Sequence, residues 1–170
     1  MSNKHFLALP VTGDTFAEIR EKNRYYVDKT PYLKTVFSED EAVDDKSLIN
    51  GTTVLLLTRP RRFGKTLLMS MFESFLKISA KEPGNITKHL NYFKGTKILE
   101  DKEFCKKYMG QFPVISITLK DVLGDDFESA YLKLAEVVSA KANEFSFLKE
   151  SPYLNEMEKA KFNLLCDEIY

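Results

Sequence analysis

The chain has no tryptophan, two cysteines and two histidines in 170 residues. Cys105 and Cys166 are too few for a disulfide framework, and with His5 and His89 they match no zinc-ligand spacing. They are expected to be core or surface thiols in a reducing compartment. Long apolar runs are missing as well. No stretch approaches the roughly 18 residues of a membrane-spanning helix, and the opening MSNKHFLALPVTGDTF has too short an apolar run for a signal peptide. A cytoplasmic protein follows by elimination. Net charge is zero, with 25 basic residues against 25 acidic ones. No global field therefore draws nucleic acid or an anionic membrane, and any such binding must come from a local cluster.

What is present is ordinary for a globular protein, with 44% hydrophobic and 29% charged residues. The length suits one domain. Thr15 and Glu18 have the spacing of a capping box, which predicts a short helix over 16–22. RYYVD reads as extended. Thr30-Pro31 predicts a second helix start, carrying Leu33, Val36 and Phe37 inward. Five carboxylates between Glu39 and Asp45 read as a solvated loop, with a metal or basic-partner site as the alternative.

TTVLLLT, residues 52–58, is a continuous apolar run bounded by turn residues, the pattern of a strand buried on both faces. Leu67, Leu68, Met71, Phe72, Phe75 and Leu76 recur at helical spacing and predict a helix over about 65–79. Shorter helices are expected near 86–93 and 101–109, and a second strand, FPVISITL, near 113–119. Asp125 and Glu128 are placed to cap a long helix with Phe127, Tyr131, Leu134, Val138 and Phe145 on one face. Ser151-Pro152 opens a last helix toward Tyr170. The fold class expected is α/β, P-loop NTPase-like, a partial parallel sheet flanked by helices. Within it, 1–50 is a lead-in, 51–125 holds the loop and both strands, and 126–170 holds the C-terminal helices.

Between the first strand and its helix lies RPRRFGKT, residues 59–66. A strand, a loop ending Gly-Lys-Thr and an amphipathic helix are the context of a phosphate-binding loop. The glycine lets backbone N–H groups close around an anion, and the helix start adds unpaired N–H groups and the positive end of its dipole. Lys65 is placed to reach the β- and γ-phosphates, and the Thr66 hydroxyl to ligate Mg²⁺. By average residue frequencies the Gly-Lys-Ser/Thr tripeptide alone arises by chance in roughly one chain in ten of this length, so the flanking elements carry the weight. Arg59 stands where glycine is usual, and Pro60 offers a fixed φ for the turn instead. Arg59, Arg61 and Arg62 have three readings: solvated, touching nucleotide phosphates, or gripping nucleic acid.

The segments LPVTGDTFAEIREKNRYYVDKTPYL, LLLTRPRRFGKTLLMSMFESF and FPVISITLKD resemble, in that order, the predicted AAA-ATPase-like family. These are bacterial P-loop proteins that often carry a restriction-type nuclease fold at the C-terminus. The resemblance is strong through Asp121 and thins beyond it. It makes Arg59 the family's own variant. It also implies ATP and Mg²⁺ as cofactors, with ATP phosphates at Gly64 and Lys65 and Mg²⁺ at Thr66; Arg61, Arg62, Phe63 and Leu67 are expected to line the same nucleotide site, and Lys65 to act in catalysis. Tyr26 to Thr30 match the family's YVDKT segment. For Asp28 and Lys29 the readings are a surface turn or packing near the nucleotide. Family members continue into an acidic strand that would position Mg²⁺ and the attacking water. This chain reaches Tyr170 without one, and Asp121 is the weak substitute within it. Two function classes stay open: the nucleotide-binding part of an ATPase, and a binding module that holds nucleotide, protein or nucleic acid without turnover. A buried strand at 52–58 needs a neighbour, because each unpaired backbone group costs roughly 1–3 kcal/mol. A fragment, an unusual pairing or self-association is therefore expected.

Overall fold

The computed structural model of the chain describes residues 7–11, 13–37, 56–60, 62–79 and 84–167. The acidic run Glu39–Asp45 lies outside them. By contact density the chain divides into two compact units, 1–114 and 115–170.

In the first unit, α1 (Phe16–Glu21) starts with the expected box: the Thr15 hydroxyl accepts the Glu18 N–H, and the Glu18 carboxylate accepts the Thr15 N–H. Helix α2 spans Pro31–Phe37, α3 Lys65–Leu76, α4 Thr87–Phe93 and α5 Lys102–Tyr108, with a 3₁₀ turn over Lys97–Glu100. Helix α3 is the axis of this unit. Its 3.6-residue period puts Leu68, Met71 and Phe75 on one face, and all three are buried. Around them pack Phe16 from α1, Leu33 from α2, Phe93 from α4, and Ile98, Cys105, Tyr108 and Met109. Phe93 lies between Phe16 and Phe75, at centroid distances of 4.7 and 5.3 Å. Burial pushes the Cys105 thiol upward in pKa, so it behaves as a core group.

The α/β class with a partial parallel sheet does not hold: the described residues are helices and turns, with no strand among them. Only an isolated parallel bridge joins Lys77 to Phe112. Of the expected first strand, residues 56–58 are irregular and 52–55 lie outside the described residues. The physical reason is visible at the second expected strand. A strand exists through its partner, and the backbone of 110–112, which leads into that run, bonds to the end of α3 instead. Gly110 N–H donates to the Phe75 carbonyl (2.8 Å), Phe112 N–H to Leu76 (2.9 Å), and Ile78 N–H to the Phe112 carbonyl (2.8 Å). The His89 Nδ1 lies 2.7 Å from the Ser74 carbonyl. The Gly110 and Phe112 N–H groups thereby satisfy carbonyls that a helix C-terminus leaves open. Gly110 has φ 66°, and a Cβ there would come within 3.1 Å of His89 Nε2 and Ile86 Cγ2. Beyond Phe112 the apolar side chains of Ile115, Ile117 and Leu119 are exposed.

The second unit contains α6 (Phe127–Glu144), a 3₁₀ turn over Ser146–Glu150 and α7 (Glu156–Cys166). Asp126, not Asp125, caps α6 by accepting the Ser129 N–H (2.7 Å). Asn155, not Ser151, caps α7, in a box with Glu158. The apolar face of α6 is largely open: Phe127, Tyr131 and Leu134 are exposed, while Val138 and Phe145 are half-buried. The α6–α7 contact is polar at its end, where buried Ser139 and exposed Asn143 both donate to the Cys166 carbonyl.

Phe75→Ala should cost about 3–5 kcal/mol of unfolding free energy, because it removes a fully buried ring from the centre of the first unit. Urea unfolding followed by circular dichroism measures it. A loss under about 1 kcal/mol would show that the ring does not sit in a packed core.

Candidate functional site

Three segments meet at the start of α3. The first is the loop itself. Phe63 N–H donates to the Pro60 carbonyl (3.4 Å), closing a turn in which Arg62 adopts φ 68°. A left-handed arginine carries about 1–2 kcal/mol of strain that glycine would not. The tight conformation thus falls on Arg62, while Arg59 points its guanidinium to the Tyr32 hydroxyl (3.3 Å). Arg59, Arg62 and Phe63 are exposed, and Arg61 lies outside the described residues.

The second is the helix start. Gly64 is the N-cap, with φ 75° and ψ 27°, and it offers no side chain to the helix. The first intrahelical bond runs from Leu68 N–H to the Gly64 carbonyl (2.8 Å). The N–H groups of Lys65, Thr66 and Leu67 precede it and have no acceptor within the helix. The Lys65 ammonium folds back onto the loop, donating to the carbonyls of Arg59 (2.5 Å) and Pro60 (3.1 Å). Thr66 is exposed, and Leu67 is half-buried against the core.

The third segment is Tyr26–Thr30, which is no free surface turn. The Tyr26 ring packs edge-on to Phe16 at 5.1 Å, and its hydroxyl donates to Met71 Sδ (3.3 Å) while accepting the Lys29 N–H (3.2 Å). Burial first of all pushes the phenol up to about 12, so it stays a neutral donor. One Asp28 oxygen accepts the Thr30 N–H (2.9 Å) and the other the Lys97 N–H (2.8 Å). Fully buried Thr30 accepts the Ile98 N–H at its hydroxyl (3.2 Å). The expectation of a helix cap at Thr30 missed this tie to the 3₁₀ turn. Lys29, held between these anchors, brings its Nζ to 2.9 Å from where a Cβ on Gly64 would stand.

Asp121 belongs to the second unit, exposed in a turn where its carbonyl accepts the Leu123 N–H (3.0 Å). Among the described residues no group of three His, Cys, Asp or Glu side chains could hold a metal ion. A surface depression of about 470 Å³, lined by Lys34, Lys97, Glu100, Asp101, Lys102 and Glu103, includes no residue of the loop. Among the described residues no helix is long and apolar enough to cross a membrane.

The family model described as a predicted AAA-ATPase matches residues 10–170. No curated protein and no solved structure matches the chain.

Burial raises the Asp28 pKa, but the Lys97 and Thr30 N–H groups outweigh it and hold the carboxyl below its ordinary value. A lowered folded-state pKa gives stability that is present above the unfolded value and lost as pH falls through the folded one. Asp28→Asn should therefore be less stable than wild type near neutrality, with the difference shrinking as pH drops below the ordinary carboxylate range. Urea midpoints of both proteins across that range measure it, and a gap that stays constant would contradict it.

Proposed function

The chain belongs to the predicted AAA-ATPase family, and we propose that the loop from Arg59 to Thr66 binds the phosphates of ATP with Mg²⁺. The observation that carries this reading is the backbone at Gly64. Its left-handed turn presents three successive N–H groups without intrahelical acceptors, at the positive end of a 12-residue helix. The site fits a polyphosphate. Gly64, having no Cβ, takes the left-handed turn without strain, and the Lys65 ammonium lies across the loop on two carbonyls it can exchange for phosphate oxygens. In this reading Phe63 and Leu67 flank the cradle, while Arg62 adds positive charge at its rim.

Mg²⁺ fits as well, by a particular route. It keeps most of its waters and binds through one or two protein oxygens together with substrate phosphates. The exposed Thr66 hydroxyl, in the first turn of α3, is the oxygen this chain offers. The metal would neutralise charge on the β- and γ-phosphates, and Thr66 would fix where it sits. Lys65 would hold the same phosphates from the loop side, and the helix N–H groups would orient them. These residues bind and position nucleotide, and turnover is a separate property that the binding experiment does not presuppose.

The test is titration with a fluorescent ATP analogue. Lys65→Ala should weaken binding at least about tenfold, equal to about 1.4 kcal/mol, with an unchanged thermal midpoint. Thr66→Val should bind without Mg²⁺ as wild type does but lose the gain that Mg²⁺ gives. Equal affinity of wild type and Lys65→Ala would remove the reading.

A further inference from the structure

We propose that Lys29 is a second phosphate-binding residue of this loop, delivered by Tyr26–Thr30, a segment built to hold it there. The inference rests on the reading of the loop as a phosphate site and adds a residue from a separate part of the chain.

The argument begins with what each member of the segment does. The Tyr26 hydroxyl binds Met71 of α3 on one side and the Lys29 N–H on the other. The Lys29 carbonyl accepts the Tyr32 N–H (3.1 Å). Its backbone is thus fixed in both directions. Asp28 and Thr30, on either side, are tied to consecutive N–H groups of one turn, at Lys97 and Ile98. Four anchors converge on a residue whose own side chain is left to reach the loop, and it ends beside Gly64.

Charge gives the second line. Lys29, Arg59, Arg62 and Lys65 gather at one loop, and among the described residues none of them forms an ion pair with a carboxylate. Like charges brought together without a counter-ion raise the energy of the folded chain, and a bound anion reverses that term. A polyphosphate, with several negative oxygens along its length, spans ammonium groups on both sides of Gly64 better than a single carboxylate does. In this arrangement the absence of a Cβ at position 64 serves two ends: the left-handed turn, and the approach of Lys29 over it.

The experiment compares wild type, Lys29→Met, Lys29→Arg and Lys65→Ala, titrating each with the fluorescent ATP analogue and Mg²⁺. Methionine keeps the aliphatic stem and removes the charge. Lys29→Met should bind at least about tenfold more weakly than wild type, and Lys29→Arg should recover most of the loss. A wild-type measurement guards against misfolding of the variants: acetylation of Lys29 by an amine-reactive ester, read by mass spectrometry, should slow when the analogue is bound. If Lys65→Ala loses affinity while Lys29→Met binds within about twofold of wild type, or if nucleotide protects Lys65 but leaves Lys29 labelling unchanged, the assignment of Lys29 is overturned and the loop stands. If Lys65→Ala binds as wild type does, the loop reading falls first.

Discussion

The left-handed backbone at Gly64 is the constraint on which the candidate site depends. With φ at 75° the chain turns from the loop into α3, whose first N–H groups have no acceptor within the helix. Any side chain there would pay for the conformation and would also run into the Lys29 ammonium. One residue therefore holds both the turn into the helix and the close approach of a lysine 35 positions earlier in the chain.

The rest of the first unit explains why that position can be held. Helix α3 buries Leu68, Met71 and Phe75 in an aromatic-rich core and has its far end closed by His89, Gly110 and Phe112. Both ends are thereby defined by segments distant in sequence. The Tyr26–Thr30 segment reads α3 from the side, through Met71, and reads the 3₁₀ turn through Asp28 and Thr30. A displacement of α3 along its axis would break the Tyr26–Met71 bond and move Gly64 away from Lys29 together. The core thus fixes the register of the loop against the Tyr26–Thr30 segment.

The helices were legible because their signals are local. The Thr15/Glu18 box, the period of Leu68, Met71 and Phe75, and Pro31 at a first helical position all act within a turn or two. The strands were not, because pairing is a property of two segments and the apolar run 113–119 names no partner. In the structure its preceding residues spend their N–H groups on the end of α3, and Ile115, Ile117 and Leu119 stay exposed. At the candidate site, the order Gly64, Lys65, Thr66 marked where a helix begins, and the structure has Gly64 as the N-cap of α3. Lys29 was only an open question, since its place beside Gly64 is a contact across 35 residues. The strain carried by Arg62 was invisible as well, because an arginine gives no sign of a positive φ. A lysine between aspartate and threonine, in a segment rich in tyrosine, was the available hint.

Amide spectra of the isotope-labelled chain, recorded while inorganic triphosphate is added, test the central claim most directly, because that claim concerns backbone N–H groups. The account predicts that the resonances of Gly64, Lys65, Thr66 and Leu67 shift together and saturate at one binding constant, ahead of other amides. Shifts confined to scattered surface lysines, without saturation at these four positions, would contradict it.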